Sequence, residues 1–199
     1  MSSRSIISLI VLAAGKSTRF GSNKLLFNLD GETLIEHVVR SALQSNVSET
    51  VVVVGFEAER IRHALQGLNC RFAVNHDFGR GQSSSVLTGI EFVRNHADAA
   101  MILPGDMPMI RVEHINKVVD EYNSVRSPIV VASFQGRMGH PILFDASLFD
   151  EVLNIEEETF GLKKVVSRHI GEVRKVEVGS AGALLDLDVH DDLKRISKE

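Results

Sequence analysis

Apolar runs of strand length alternate along this chain with segments whose apolar residues recur at the helical period. Residues 6–12 form an apolar run interrupted only by Ser8 and predict a first β-strand. Thr33-Leu34-Ile35-Glu36 has the form of a capping box, and Leu34, Ile35, Val38, Val39, Ala42 and Leu43 recur at helical spacing. A second buried strand is predicted over 50–54, then a short helix near 59–66 and a strand over 70–74. Residues 84–95 predict a helix that turns Val86, Leu87, Ile90 and Val93 inward, and 99–103 a strand closed by Pro104-Gly105. Residues 111–122 read as helix, with Ile115, Val118 and Val119 on one side. Strands over 129–133 and 142–144 are separated by what reads as a loop around Gly136 and Gly139. Helices near 147–153 and 162–169, a strand over 173–178 and a terminal helix from Asp191 complete the order.

Strands alternating with helices predict βαβ units, and hence an α/β fold: a three-layer αβα Rossmann-like sandwich with a mostly parallel sheet. No repeat, low-complexity tract or linker divides the chain, so residues 1–199 are expected to form a single domain. In such sheets ligands bind beyond the carboxyl ends of the strands, which selects the loops after Leu12, Val74 and Leu103 as the functional ones.

Composition narrows this picture. Hydrophobic residues make up 44% of the chain while aromatics make up 6% and Trp is absent, so aliphatic side chains must fill the interior, as buried parallel strands require. A net charge of -4 without a large charged block gives no reason to expect nucleic acid as a partner. Cys70 is the only cysteine, which excludes an internal disulfide and a multi-thiolate metal site and fits a reducing, cytoplasmic location. The eight histidines show no zinc-type spacing. Arg4, the 6–12 run and Ala13-Ala14 also look superficially like a signal peptide, but the same run reads as a strand entering a basic loop with Lys16, Arg19 and Lys24. No later segment is long and apolar enough to span a membrane, so no membrane partner is expected.

Candidate chemistry sits in separate segments. The first is Leu12-Ala13-Ala14-Gly15-Lys16-Ser17-Thr18-Arg19-Phe20-Gly21-Ser22-Asn23-Lys24. Its small residues allow close backbone approach, its N–H groups can cradle phosphate oxygens, and its three cations match a triphosphate. It is not a P-loop, because Ile10 stands where that motif needs glycine. Gly79-x-Gly81 is likewise no dinucleotide fingerprint, since Ser84 replaces the third glycine. The alternative is an ordinary solvated turn. In Leu103-Pro104-Gly105-Asp106-Met107-Pro108, a carboxylate leaving a buried strand between two prolines suits a Mg²⁺ ligand; it equally suits a cap on the next turn. Gly79-Arg80-Gly81-Gln82-Ser83-Ser84-Ser85 opens a predicted helix and reads either as a polar reader of base and ribose or as a plain N-cap through Ser83 or Ser84. Gly136-Arg137-Met138-Gly139-His140-Pro141 feeds a strand, with His140 a candidate acceptor contact or an incidental loop histidine. In Asp186-Leu187-Asp188-Val189-His190-Asp191-Asp192, Asp191 or Asp192 suits the helix dipole and Asp188 is able to reach a metal.

In order from Leu12 to Leu193, these segments resemble the nucleotidyltransferases of the molybdenum-cofactor family, and within it the cytidylyl branch. The carrying features are the L-A-A-G-x-S-x-R-x-G-x-x-K loop ending at Lys24, the stretch from Gly81 to Ser85, Gly105-Asp106-Met107-Pro108, Gly139-His140-Pro141 and Leu187-Asp188. The resemblance implies a sandwich of the nucleotide-diphospho-sugar transferase type and transfer of CMP from CTP to the terminal phosphate of a molybdopterin-type acceptor. It implies that Arg19 and Lys24 neutralise the triphosphate, and that Asp106 holds Mg²⁺ with Asp188 as second carboxylate. Leu12, Ala13, Ala14, Gly15, Gln82, Ser83 and Ser84 would then contact the nucleotide, and His140 the acceptor. Ala14 stands where the guanylyl branch usually has a second glycine, which implies CTP rather than GTP. A molybdoenzyme or its insertion chaperone follows as partner. Two positions depart from the pattern. Glu158-Thr159-Phe160-Gly161-Leu162-Lys163 keeps only the glycine of an acidic-glycine-alanine-arginine stretch, and Val189-His190 replaces a threonine-proline. The alternatives left open are another phosphorylated acceptor, such as a sugar or polyol phosphate, and a non-catalytic nucleotide-binding accessory protein.

Overall fold

β1 (Ile7–Ala13) is buried at all seven positions and is an interior strand of a seven-stranded sheet. The computed structural model describes residues 5–17, 23–157 and 161–185. The apolar run with two sequence readings is thus a fully buried interior strand of the sheet. Parallel to β1 on one side run β4 (Glu49–Val54) and, beyond it, β5 (Arg71–Val74); β6 (Ala99–Pro104) runs parallel to it on the other. The sheet continues through β8 (Arg137–Asp145) and β7 (Ile129–Phe134) to β9 (Val173–Glu177).

Alternation along β1 sorts the core into two layers. Ile7, Leu9, Val11 and Ala13 face one side with Val38, Val39, Ile115, Val118 and Val119, from α1 (Leu34–Leu43) and α4 (Val112–Val125). Ile10 and Leu12 face the other side with Val86, Ile90 and Val93 of α3 (Gln82–Val93), Phe149 and Val152 of α5 (Phe149–Val152) and Val165 of α6 (Leu162–Arg168). This is the three-layer αβα sandwich expected. α3 approaches the sheet closely at Gly89, where a Cβ would stand 2.5 Å from Ile10 Cγ2. The capping box of α1 is present: Thr33 Oγ1 accepts from the Glu36 N–H at 3.4 Å, and the Glu36 carboxylate accepts from the Thr33 N–H at 2.8 Å. α2 (Ala58–Ala64) joins β4 to β5. Among the described residues no helix is long and apolar enough to cross a membrane.

The sheet is mostly parallel, as expected, with one exception: β8 runs antiparallel to both β6 and β7. The expected loop between them shrinks to a Gln135-Gly136 turn with both φ positive, at 50° and 77°, the geometry that closes a two-residue hairpin. Gly139, His140 and Pro141 therefore lie inside β8. Their glycine and proline read as loop residues because this stretch leaves the ladder: pairing jumps from Ser133 with Met138 to Val131 with Ile142, so three residues bulge opposite Ala132. A small hairpin, β2 (Asn28–Leu29) and β3 (Glu32–Thr33), turns at Asp30-Gly31 and had no counterpart in the sequence reading. Finally, α3 starts at Gln82, two residues before the predicted 84, and a 3-10 turn at Ala181–Leu184 precedes the last described residue. The terminal helix expected from Asp191 lies outside the described residues.

Candidate active site

The four parallel strands end side by side. Leu12 is in register with Val53 and Pro104, Ala13 with Val54, and Val54 with Val74. The loops after Leu12, Val74 and Leu103 therefore open onto one cleft of about 460 Å³.

The β1 loop supplies the cleft's backbone. The Ala14 carbonyl accepts from the Phe56 N–H at 3.1 Å and the Leu12 carbonyl from the Gly105 N–H at 2.9 Å, which ties the loop to its neighbours. A Cβ at Gly105 would stand 2.9 Å from that same Leu12 oxygen, so the close approach requires glycine. Gly15 is different: no described atom lies within 4 Å of an added Cβ, so its missing side chain opens the backbone to the cleft. Ser17 closes the described part of the loop at φ 50°. Arg19 lies outside the described residues.

Lys24 and Asp106 meet across the cleft, with Nζ 2.5 Å from Oδ2 and only 14% and 18% of the two side chains exposed. Lys24 opens the 3-10 turn Lys24–Leu26, which is fixed by the buried Asn23 accepting from the Leu25 N–H at 3.2 Å and by Leu25 in the core. Asp106 stands between the tightly packed Gly105 and the buried Met107. Asp106 lines the cleft, and α4 starts only at Val112 with Arg111 as N-cap.

The start of α3 departs from expectation. Neither Ser83 nor Ser84 is the N-cap; Gly81 is, at φ 93°, without a capping side chain of its own. The vacancy is filled from far along the chain: Glu157 accepts from the Ser83 N–H at 2.8 Å, and an added Cβ at Gly81 would stand 2.6 Å from its Cδ. Hydrogen bonds from the Ser83 hydroxyl and N–H and from the Gln82 N–H hold the Glu157 carboxyl below its ordinary range, against a smaller opposing effect of burial. Ser84 Oγ donates to the Gly81 carbonyl at 2.8 Å and accepts from Asn75 Nδ2 at 2.9 Å, which turns it away from the cleft lining. Gln82 is exposed and faces the cleft. Glu157 and Asn75 were invisible to motif reading, since no spacing rule links them to the helix they hold. Glu157→Ala should therefore lower stability by on the order of 0.5–1 kcal/mol at neutral pH, a capping loss at an exposed site. Because the folded carboxyl is depressed, that contribution is present above the unfolded value and lost as pH falls through the folded one. Urea melts at pH 7 and in the acid range should show the wild-type advantage shrinking; a gap independent of pH would contradict the cap.

Beyond Gln82 a second cavity of about 800 Å³ opens between β8 and α6. Its wall includes Val86, Ile102, Val131, Ile142 and Val166, while Arg137, His140 and Lys163 supply polar and cationic groups. The two cavities share Leu12, Gln82, Pro104 and Asp106, so Asp106 stands at their junction. His140 and Ser83 line only the second. Gly139 is a packing glycine: a Cβ there would fall 2.0 Å from the Ala183 carbonyl oxygen, which seats the Ala181–Leu184 turn on β8. Asp188 follows that turn in sequence but lies outside the described residues.

Among the described residues no group of three or more His, Cys, Asp or Glu is gathered for a metal. A lone carboxylate at a phosphate-sized cleft nevertheless fits Mg²⁺, which is held by one or two carboxylates together with substrate phosphates. The Lys24 ammonium beside Asp106 shows that this position takes positive charge.

Comparison with known proteins extends this geometry. The sequence matches the MobA-like NTP transferase domain over residues 9–173. It is 28% identical to the purine catabolism protein PucB of Bacillus subtilis over 95% of each chain. It is 35% identical to the bifunctional protein GlmU of Francisella tularensis subsp. novicida over 67% of this chain, but spans only 29% of GlmU. In structure it superposes on Rv0371c of Mycobacterium tuberculosis with a TM-score of 0.86 at 24% identity, over 99% of this chain and all of that one, which shows a shared fold. Five of the seven strands and most of β1, both cavities' shared wall and the Lys24–Asp106 pair fall within the matched span, and the chain belongs to the MobA-like NTP transferase family of nucleotidyltransferases.

Proposed function

We propose that this protein is a Mg²⁺-dependent nucleotidyltransferase that moves CMP from CTP to the terminal phosphate of a pterin acceptor of the molybdopterin or molybdenum-cofactor type, releasing pyrophosphate. The carrying observation is the Lys24–Asp106 pair at the junction of a small cleft with backbone and cationic walls and a larger, partly apolar one. The first cavity takes the nucleotide and the second the acceptor, so their reacting phosphates meet beside Asp106. A related fold, Rv0371c, is known as a complex with manganese, which supports a divalent-cation role for this carboxylate.

The chain's own residues then have distinct tasks. Backbone N–H groups of Ala13, Ala14 and Gly15 cradle the phosphates, while Lys24 and Arg19 neutralise them. Asp106, with Asp188 as second carboxylate, holds the Mg²⁺. That ion supplies charge neutralisation on the phosphate oxygens when bound. An acceptor phosphate oxygen forms a bond to the α-phosphorus, the bond to the α–β bridging oxygen breaks, and pyrophosphate leaves with the electron pair. The attacking phosphate has a second pKa of about 6 and is mostly ionised at neutral pH, so no general base is needed. Alignment and charge stabilisation carry the rate. His140 contacts the acceptor from β8, and Ala14, buried against Gly55 in the cleft wall, narrows the base end in favour of CTP.

A second reading keeps the donor and changes the acceptor to another phosphorylated compound. It is favoured by the departure at residues 158–163, of which Gly161, Leu162 and Lys163 line the second cavity. Incubating the protein with Mg²⁺, each nucleoside triphosphate and a molybdopterin-type, sugar-phosphate or polyol-phosphate acceptor separates the two. Pyrophosphate release with CTP and the pterin is the expected result. Release only with another acceptor selects the second reading, and CTP binding with no turnover across all acceptors indicates an accessory protein and defeats both.

A further inference from the structure

Phe78 lies in the 3-10 turn Phe78–Arg80 just ahead of Gln82, and it plays no part in the chemistry above. It is the only Phe or Tyr lining either cavity among the described residues. Its ring is wedged into place from behind: a Cβ at Gly55 would stand 2.8 Å from Phe78 Cβ and 3.0 Å from its Cδ1, and Phe56 packs at 6.3 Å between centroids. The face toward the cleft is reachable, because the Lys16 ammonium stands over it at 5.6 Å from the centroid. Lys16 belongs to the loop whose N–H groups form the phosphate cradle, so the ring and the cradle border the same cleft. Gln82, an amide with both donors and an acceptor, lines that same cleft.

We infer that Phe78 is the stacking seat for the nucleobase of the donor, with Lys16 holding the ring face in the absence of nucleotide. The inference rests on the reading of this cleft as a nucleoside triphosphate site. A base has a flat apolar face that gains by leaving water against a ring, and a phosphate chain has none, so the two halves of the ligand should respond differently to loss of the ring. A cation over a half-exposed ring is held weakly and is exchanged readily for a base, and the displaced Lys16 is then able to turn toward the phosphates.

The test compares CTP with inorganic tripolyphosphate, both with Mg²⁺, by calorimetry. Phe78→Ala should weaken CTP about tenfold and leave tripolyphosphate unchanged. Phe78→Leu, which keeps apolar packing on Phe56 but not a flat ring, should show the same split if Phe78→Ala folds poorly. Phe78→Trp should keep CTP affinity, and as the chain has no other Trp its emission should respond to CTP and not to tripolyphosphate. Equal losses for both ligands, or Trp emission indifferent to saturating CTP, would overturn the stacking role. Normal CTP binding by both Phe78→Ala and Phe78→Leu would overturn this inference alone, whereas wild-type protein that bound no CTP would remove the nucleotide reading beneath it.

Discussion

Lys24→Ala is expected to keep its fold and lose on the order of 10²–10³ in the rate of pyrophosphate release, the usual cost of removing one group that stabilises developing charge. The fold should survive because the turn around Lys24 is held by Asn23 and by Leu25 in the core, and both remain. The rate should fall because the ammonium is the cation that the structure brings to Asp106, at 2.5 Å and mostly shielded from solvent, where a charge is worth more than on the open surface. Lys24→Arg restores the charge but not the compact point geometry, so only partial recovery is expected. Circular dichroism, thermal melts and a coupled pyrophosphate assay on the purified variants make the comparison. A folded Lys24→Ala protein with turnover within about threefold of wild type would remove Lys24 from the chemistry, since true transition-state contacts cost far more.

How much of this was legible in the sequence depended on whether a signal was local. The capping box at Thr33 and Glu36 is a four-residue device, legible in the sequence alone and present in the structure. The helical spacing in α1 likewise predicted the buried face, with Leu34, Ile35, Val38, Val39 and Ala42 buried and Leu43 partly so. Strand ends gave the cleft, because a parallel arrangement forces the loops after Leu12, Val74 and Leu103 to one edge. What failed was long-range or geometric. Glu157 caps a helix 74 positions earlier, and no periodicity reports such a pairing. Gly139 and Pro141 carry the vocabulary of a loop, yet they occupy a bulge within β8, where glycine is demanded by the Ala183 carbonyl and proline is tolerated because the ladder is interrupted. The role of Phe78 was hidden because an isolated aromatic has no spacing; only its place against Gly55 and Lys16 marks it. Arg19 and Asp188 remain proposals drawn from resemblance.

Asp106→Asn should separate binding from turnover, which distinguishes a metal-holding carboxylate from a structural partner of Lys24. Asp106 pairs with the Lys24 ammonium; in the proposed mechanism the ammonium turns toward phosphate and the carboxylate toward the cation. Replacing the carboxylate by an amide of the same shape removes a negative charge from beside the phosphates and releases Lys24 from its ion pair. Metal-free CTP should therefore bind at least as tightly as to wild type, since like-charge repulsion has been relieved. Turnover should nonetheless fall on the order of 10²-fold or more, and the Mg²⁺ concentration for half-maximal rate should rise, because an amide oxygen is a poorer ligand for a hard dication than a carboxylate. If Asp106 served only to position Lys24, the variant would instead lose affinity and rate together with an unchanged metal titration. In that event Asp106→Asn and Lys24→Ala would not add when combined, whereas distinct roles predict that the double variant is slower than either one.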